Sequence, residues 1–190
     1  MGIEFELKYA ASAADFEILK ARYPQLRSIA METTYYDNPR GDFSRLKWTF
    51  RRRMENGKSI CTLKTPAEGL GRAEFEVECA NILEAVPKLL AQGAPKQLLY
   101  LVAEGVAPSC GARFTRLAKT LSLEDCTVEL ALDRGVLTGG GKEQSFAEVE
   151  VEYKSGSEAA TAAFAKELAH RFGLEPEPRS KIARAQALIG

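Results

Sequence analysis

The sequence of 190 residues has little of several residue types on which common functions depend. His170 is its single histidine, and its four cysteines form neither a CxxC pair nor a zinc-ligand spacing. Zinc, haem and histidine-based catalysis are therefore excluded unless His170 itself serves. No apolar run approaches the ~20 residues that span a bilayer, and acidic residues stand where a secretory signal would be basic. We expect a cytoplasmic protein with reduced cysteines and no membrane association.

The chain also lacks an excess of charge of either sign, since 26 basic residues balance 26 acidic ones. A protein that binds nucleic acid through phosphate attraction normally carries a basic excess, so no nucleic-acid partner is expected. The chain is 45% hydrophobic, and its length suffices for one sizeable domain with a real core. No repeat or low-complexity linker divides it. We expect a single domain over residues 1–190.

Alternation of apolar and polar residues predicts eight β-strands in two groups. They cover residues 3–9, 33–36, 48–53, 59–64, 72–79, 113–119, 127–133 and 146–153, and Asn56-Gly57 predicts a tight hairpin. Helical patterns follow Ser12, cover 157–172 and begin again at Ser180. Between 81 and 105 we expect two or three short helices, interrupted at Pro87 and at 93–95. The fold class is therefore α+β.

Six of these strands concentrate charge on one face, because residues i, i+2 and i+4 of a strand point the same way. The simplest interpretation of these charged faces is that they form the solvated outer side of a sheet, with surface ion pairs. The alternative is a closed barrel with a charged interior and apolar faces covered by helices. Runs of Glu-x-Glu-x-Glu place like charges ~7 Å apart, which is costly unless cations lie among them. The six strands together favour the barrel.

The same residues resemble the CYTH domain of the triphosphate tunnel metalloenzymes. Glu4-Phe5-Glu6-Leu7-Lys8 matches the ExExK signature of that family. Eight further segments are similar to its motifs in the same order along the chain: 35–39, 50–57, 62–64, 72–76, 114–116, 129–135, 148–152 and 180–181. One departure is Lys47-Trp48-Thr49, where the family usually has a glycine-containing turn at the expected tunnel mouth.

This resemblance implies an eight-stranded antiparallel β-barrel tunnel that binds a linear triphosphate between basic side chains and divalent metal. The expected activity is hydrolysis of inorganic triphosphate to pyrophosphate and phosphate. Class IV adenylate cyclase, thiamine triphosphatase and a non-catalytic polyphosphate-binding module are the alternatives. A homodimer is compatible with the resemblance. So is a partnership with a helical CHAD domain, which this chain does not contain.

The resemblance and the alternation together nominate the site residues. The cations expected to bind triphosphate are Lys8, Arg51, Arg53, Lys64, Arg116 and Lys181. Carboxylate oxygens suit Mg²⁺ or Mn²⁺, and two such ions are expected on Glu4, Glu6, Glu148 and Glu150. Catalysis is expected to involve Glu4, Glu6 and Lys8, with Glu76, Glu129 or Asp133 orienting the attacking water.

Overall fold

The computed structural model describes residues 2–67 and 72–190, with side chains described from Phe5 onward. Its strands are β1 (Gly2–Glu4), β2 (Glu6–Ala10), β3 (Arg27–Asp37), β4 (Thr49–Glu55), β5 (Lys58–Pro66), β6 (Arg72–Glu78), β7 (Ala107–Ser122), β8 (Cys126–Gly139), β9 (Lys142–Gly156) and β10 (Glu175–Pro176). They form one antiparallel sheet in the order β1-β6-β5-β4-β3-β7-β8-β9-β2-β10. The predicted α+β class is confirmed.

The N-terminal segment connects the two ends of this sheet. Its predicted single strand is divided at Phe5 into β1, which pairs with β6, and β2, which pairs with β9. Phe5 alone separates the two strands in the chain. The sheet therefore curves round until one short segment serves both of its ends, although no ladder between β1 and β2 closes it. The predicted barrel is an approximate description of this curved sheet.

Two hairpins carry the turn chemistry that the sequence predicts. Asn56 and Gly57, between β4 and β5, both have positive φ, at 47° and 88°. Such values favour asparagine and glycine, and they match the twist of the flanking strands. Gly140 and Gly141 form the turn between β8 and β9, with φ of 57° and 74°. The strands of this second hairpin extend closer to the turn than the alternation indicated.

The helices are α1 (Ala13–Arg22), α2 (Asp42–Arg45), α3 (Ile82–Ala91), α4 (Gln97–Ala103), α5 (Glu158–Phe172) and α6 (Lys181–Gln186). Ser12, Asn81, Ser157 and Ser180 cap four of them at the N-terminus through their side chains. The predicted interruption at Pro87 is wrong, because Pro87 lies inside α3. Burial of Ile82, Ala85, Val86 and Leu89 on one side of α3 offsets the ~3 kcal/mol that an interior proline costs. None of the helices described is long and apolar enough to cross a membrane.

The apolar faces of the strands are covered from outside by the helices. Over β4, β5 and β6, Phe50, Leu63 and Phe75 pack with residues of α3 and α4. Over β8, β9 and β2, residues of α1 and α5 complete a second cluster. Trp48 packs edge-on against Phe43 in the first cluster, and the indole is therefore buried in the outer core rather than at an opening.

A third apolar cluster lies on the opposite, inner face of the sheet. It joins residues of β3, β7, β8 and β9, among them Met31, Phe114 and Phe146, to Ala185 of α6. Helix α6 approaches β8 so closely that a Cβ on Gly139 would lie 2.3 Å from the Ala185 carbonyl oxygen. This short helix therefore fills one end of the space that the curved sheet surrounds.

Gly135 permits the aromatic contact at the centre of that inner cluster. It lies on β8 directly between Phe114 of β7 and Phe146 of β9, whose ring centroids are 5.7 Å apart. A Cβ on Gly135 would stand 2.1 Å from the Arg113 carbonyl oxygen and 2.5 Å from the Phe114 Cβ. The pairing of β7 with β8 here therefore requires glycine.

We predict that Gly135→Ala lowers the free energy of unfolding by about 2 kcal/mol, because the ladder must move apart. Urea denaturation measures this. Ser145→Ala, an exposed change on the neighbouring strand, is the control and should stay within about 0.5 kcal/mol of the parent protein. Equal stability of the two variants would contradict the close approach of β7 to β8 at Gly135.

Candidate active site

The strand register places the predicted charged positions on one face of the sheet. Residues directly opposite in neighbouring strands share a face, and Asp133 lies opposite Glu148, which is on β9. Lys8 lies opposite Glu150, while Glu129 and Glu6 flank Glu152 in one row across three strands. The other half of the sheet continues this face through four cations and two acids: Arg51, Arg53, Lys64, Arg72, Glu74 and Glu76. The side chain of Glu4 lies outside the described residues.

Burial decides between the two interpretations of this face. Asp133 and Glu148 are fully buried, and Arg51 and Lys64 are each 7% exposed. Charged side chains are almost never buried to this extent on a solvated surface. The solvated-face interpretation is therefore wrong, and the charges line the inner side of the curved sheet.

Three buried carboxylates meet at the centre of this face. Asp133, Glu148 and Glu150 each offer an oxygen within 4.8 Å of the others, and we call this group the carboxylate cage. The Lys181 ammonium stands among them, with Nζ 2.7 Å from Asp133 Oδ2 and 2.7 Å from Glu150 Oε1. It also pairs with Glu148 Oε1. Lys181, which the sequence predicts as a triphosphate-binding cation, thus contacts all three acids directly.

Two arginines complete the charge balance of the cage. Arg116 of β7 donates from Nε and Nη2 to the two oxygens of Asp133, at 2.8 and 2.7 Å, and its Nη2 also reaches Glu150 Oε2. Arg184 of α6 donates to Glu148 Oε2. Arg184 was not among the predicted residues. Its spacing of i+3 from Lys181 was the available signal, because residues three apart share one face of a helix.

The Lys181 side chain lies against two aromatic rings beside the cage. Its Nζ lies 5.0 Å from the Phe114 ring centroid and 5.7 Å from that of Phe146, within cation–π distance. The Arg184 guanidinium lies 5.3 Å from the Phe146 ring centroid. The contact of two phenylalanines across Gly135 therefore positions both cations that α6 contributes.

The pKa values of the cage follow from burial and pairing. Burial alone would raise the pKa of Glu150, but Lys181 and Arg116 outweigh it and hold that pKa well below its ordinary value. For Glu148 burial prevails over Lys181 and Arg184, and its pKa is raised. Burial would lower the pKa of Lys181, yet the three carboxylates outweigh it and raise that pKa well above its ordinary value. At neutral pH Lys181 is charged and Glu150 ionised.

A second group of cations lies on β4 and β5. Arg51 Nη2 is 3.6 Å and Lys64 Nζ 3.3 Å from Glu74 Oε1, and Arg53 donates to Glu55 Oε1 over 3.2 Å. The pKa of Arg53 is lowered by burial and then by the like charges of Arg51 and Arg116. Cations from β4 and β7 thus repel one another across the intervening strand β3. This is the part of the inner face that a multiply charged anion would stabilise.

The remaining predicted residues lie nearer the rim. Glu76 is exposed and accepts a hydrogen bond from Thr62 Oγ1, at 3.2 Å. Glu129 is half-buried. Glu6 and Lys8 line a cavity of about 480 Å³ beside β2, where Glu177 also lies. The charge of Lys8 contributes to the low pKa of Glu150, so Lys8 belongs electrostatically with the cage.

The cage has the donor chemistry of a hard divalent cation. Its oxygens converge without histidine or cysteine, which suits Mg²⁺ or Mn²⁺. Glu148 and Glu150 of the predicted metal set are therefore brought together, and Asp133, which was predicted to orient water instead, is the third member of the group. Glu6 stands at the exposed end of its strand, away from this group.

We predict that Glu150→Gln, in chelator at pH 7, lowers the free energy of unfolding by about 3–5 kcal/mol, because it leaves Lys181 and Arg116 short of a buried partner. A carboxylate with a depressed folded-state pKa stabilises the fold above its unfolded pKa, near 4.5. That contribution declines by about 1.4 kcal/mol per pH unit as the pH falls further. The difference in the free energy of unfolding between the parent protein and Glu150→Gln should therefore become smaller between pH 4.5 and pH 3. Urea denaturation of both proteins across this pH range tests the direction of that change.

Glu78 provides the control for the Glu150→Gln experiment. It is an exposed acid on the same face of β6 as Glu74 and Glu76. Glu78→Gln should change stability by less than about 0.5 kcal/mol at every pH. A constant difference between Glu150→Gln and the parent protein from pH 7 to pH 3 would contradict the strong pairing of Glu150.

Comparison with known proteins identifies the family. The sequence profile of the CYTH domain matches residues 2–185. An inorganic triphosphatase of Haemophilus influenzae is 27% identical over 168 residues, which cover 81% of this chain and 46% of that protein. The chain thus spans about half the length of the curated relative that it matches.

Solved structures with the same fold come from distant organisms. A candidate adenylate cyclase of Bacillus halodurans superposes with a TM-score of 0.68 at 18% identity, covering 94% of each chain. A candidate adenylyl cyclase of Hippeastrum, described as having a dominant triphosphatase activity, gives 0.68 at 17% identity and covers 97% of this chain and 95% of its own. The profile match extends across almost the whole sequence, and the chain belongs to the CYTH family.

Proposed function

We propose that this protein hydrolyses a linear triphosphate with the help of divalent metal, and that its preferred substrate is inorganic triphosphate. The proposal rests on the buried inner face, where cations and carboxylates from β4 to β9 and α6 converge. The inorganic triphosphatase of Haemophilus influenzae supports the same reaction class.

The observation that carries the proposal is the state of Arg53. This guanidinium is largely buried and donates to Glu55 Oε1 over 3.2 Å, yet burial and the like charges of Arg51 and Arg116 outweigh that acid and lower its pKa. Gathering like charges away from water is unfavourable unless an anion joins them. Inorganic triphosphate carries about four to five negative charges near neutral pH: one from the strongly acidic proton of each phosphate, and about one to two more from the two terminal phosphates, whose last protons titrate at about pH 6 and above. It is long enough to reach several of these cations at once.

Each group then has a defined task. Arg51 and Arg53 grip non-bridging oxygens through two donors each, while Lys8, Lys64, Lys181 and Arg116, whose Nε and Nη2 already hold Asp133, act as point charges. Glu148, Glu150 and Asp133 hold divalent metal, which neutralises phosphate charge and activates water when it is bound. Asp133 already receives Arg116 and Lys181 on its oxygens, so Glu76 and Glu129 remain the candidates for orienting the attacking water. The sequence-derived roles of Glu4 and Glu6 as further metal ligands stay part of this proposal.

Preference for a compact substrate follows from the third apolar cluster. Phe114, Phe146 and Ala185 occupy one end of the inner space together with the rest of that cluster. A nucleoside attached to the triphosphate must therefore extend towards the other end or remain outside. Inorganic triphosphate imposes no such demand, and binding energy from its non-reacting end can position the terminal phosphorus.

We expect phosphate release from inorganic triphosphate to exceed that from ATP by at least about tenfold in kcat/KM, a transition-state difference of ~1.4 kcal/mol. Cleavage of pyrophosphate should be negligible, because it leaves part of the cationic lining unpaired. Steady-state phosphate assays at one Mg²⁺ or Mn²⁺ concentration compare the three substrates. Thiamine triphosphate is included, and cyclic AMP is measured in parallel.

The possible results separate the competing functions. Cyclic AMP as the main product from ATP would establish a cyclase instead. A thiamine triphosphate rate above the inorganic triphosphate rate would change the substrate assignment. Full turnover in excess chelator would overturn metal dependence, and binding of triphosphate without turnover of any substrate would indicate a binding module.

The parity of the arginines on β4 gives a second prediction. Arg51 and Arg53 face inward, whereas Arg52 points outward and donates to the Ala80 carbonyl over 3.3 Å. We expect Arg51→Ala and Arg53→Ala each to lower kcat/KM for triphosphate by about 100-fold, a cost of ~2.7 kcal/mol. The matched control Arg52→Ala should stay within about threefold.

Stability measurements exclude a trivial explanation for that result. Arg53→Ala removes a cation that its neighbours repel, so its melting temperature should equal or exceed that of the parent protein. Loss of activity together with unfolding would not count as support. A larger loss for Arg52→Ala than for either neighbour would contradict an inward-facing anion site on this strand.

A further inference from the structure

The Lys181 ammonium occupies the place that a divalent cation would take in the carboxylate cage. Its Nζ pairs with one oxygen from each of Asp133, Glu148 and Glu150. The same three carboxylates each offer an oxygen within 4.8 Å of the others. An ammonium and a metal ion cannot share the centre of one such group. Occupancy by Lys181 and occupancy by metal are therefore alternatives.

Charge balance leads to the same conclusion. The three carboxylates of the cage are matched by three buried cations, Arg116, Lys181 and Arg184. A divalent ion added to this neutral group would bring two uncompensated charges into a buried site, which is costly. Release of one resident cation halves that excess, and release of two removes it.

The positions of the three cations indicate which of them can leave. Arg116 belongs to the central strand β7 and holds Asp133 through two parallel hydrogen bonds. Lys181 is the first residue of the six-residue helix α6 and follows the largely exposed segment 175–179. It makes point-charge contacts, without the two-donor geometry of a guanidinium. Displacing Lys181 requires movement of only a short helix, whereas Arg116 is anchored in the middle of the sheet and held by two hydrogen bonds.

We propose that Lys181 is a tethered competitor of the divalent cation: metal that enters the cage expels the Lys181 ammonium and loosens α6 from the inner face. The released lysine is then free to pair with the anionic substrate, so one side chain sets both the metal affinity and the triphosphate affinity. Only this last step rests on the proposed function. The competition itself requires metal and protein alone.

Direct metal titration tests the competition. Mn²⁺ binding is followed by electron paramagnetic resonance without triphosphate, for the parent protein and for Lys181→Met, which keeps the length of the stem. We expect the variant to bind Mn²⁺ at least about tenfold more tightly. The control Arg179→Met removes the same charge two residues earlier, at an exposed arginine paired with Glu177. Its Mn²⁺ affinity should stay within about twofold of the parent value.

Unchanged or weaker Mn²⁺ binding by Lys181→Met would overturn the proposal. If this variant does not fold without metal, amide hydrogen exchange on the parent protein decides instead. Saturating Mn²⁺ should then accelerate exchange of the amides in 182–189, while amides of β7 remain protected. Slower or unchanged exchange in 182–189 would show that metal binds without expelling Lys181 and would overturn the proposal.

Turnover measurements keep this inference separate from the proposed function. Tighter Mn²⁺ binding by Lys181→Met in a protein that hydrolyses no triphosphate would support the competition and reject the function. Metal-dependent triphosphate hydrolysis, together with Mn²⁺ binding that is indifferent to Lys181, would support the function and reject the competition.

Discussion

Six charged side chains, three acidic and three basic, are packed out of water against one face of the sheet, and their mutual pairing constrains the rest of the structure. Removing each such group from water costs several kcal/mol, which the pairing repays only when every partner is in place. Asp133 and Glu148 lie opposite each other on β8 and β9, Arg116 comes from β7, and Lys181 and Arg184 come from α6. The register of three strands and the docking of one helix must therefore agree before any of these charges is satisfied.

The need to bury charge inside explains the arrangement outside. Because charged side chains occupy most of the inner face, the apolar face of each strand points outward and must be covered. Helices α1, α3, α4 and α5 provide that cover. The inner face keeps one apolar region, around Phe114 and Phe146, and this region supports the two cations of α6. The molecule thus has two outer hydrophobic layers and a polar centre.

Alternation in the sequence predicted the strands and the inward face well, because a period of two is decided locally and the charges at 51, 53, 133, 148 and 150 follow it strictly. The helix caps at Ser12, Ser157 and Ser180 are equally local signals. Three features depend on tertiary contacts and were missed. Pro87 stays helical because the apolar side of α3 is packed against the sheet. Arg184 reaches Glu148 only after α6 docks on the inner face. Gly135 is required because its neighbours on two other strands come close to it. No pattern within α6 reveals which face of the sheet it will contact.

The division of the N-terminal segment at Phe5 has a consequence for association between molecules. β1 covers the free edge of β6 and β2 covers that of β9, so one short stretch of chain satisfies the backbone groups of two separate sheet edges. If that stretch detached, a single molecule would present two unpaired edges, one on β6 and one on β9. Edges of this kind can recruit strands from other chains. By covering both edges, residues 2–4 and 6–10 therefore also protect this protein against association through exposed strands.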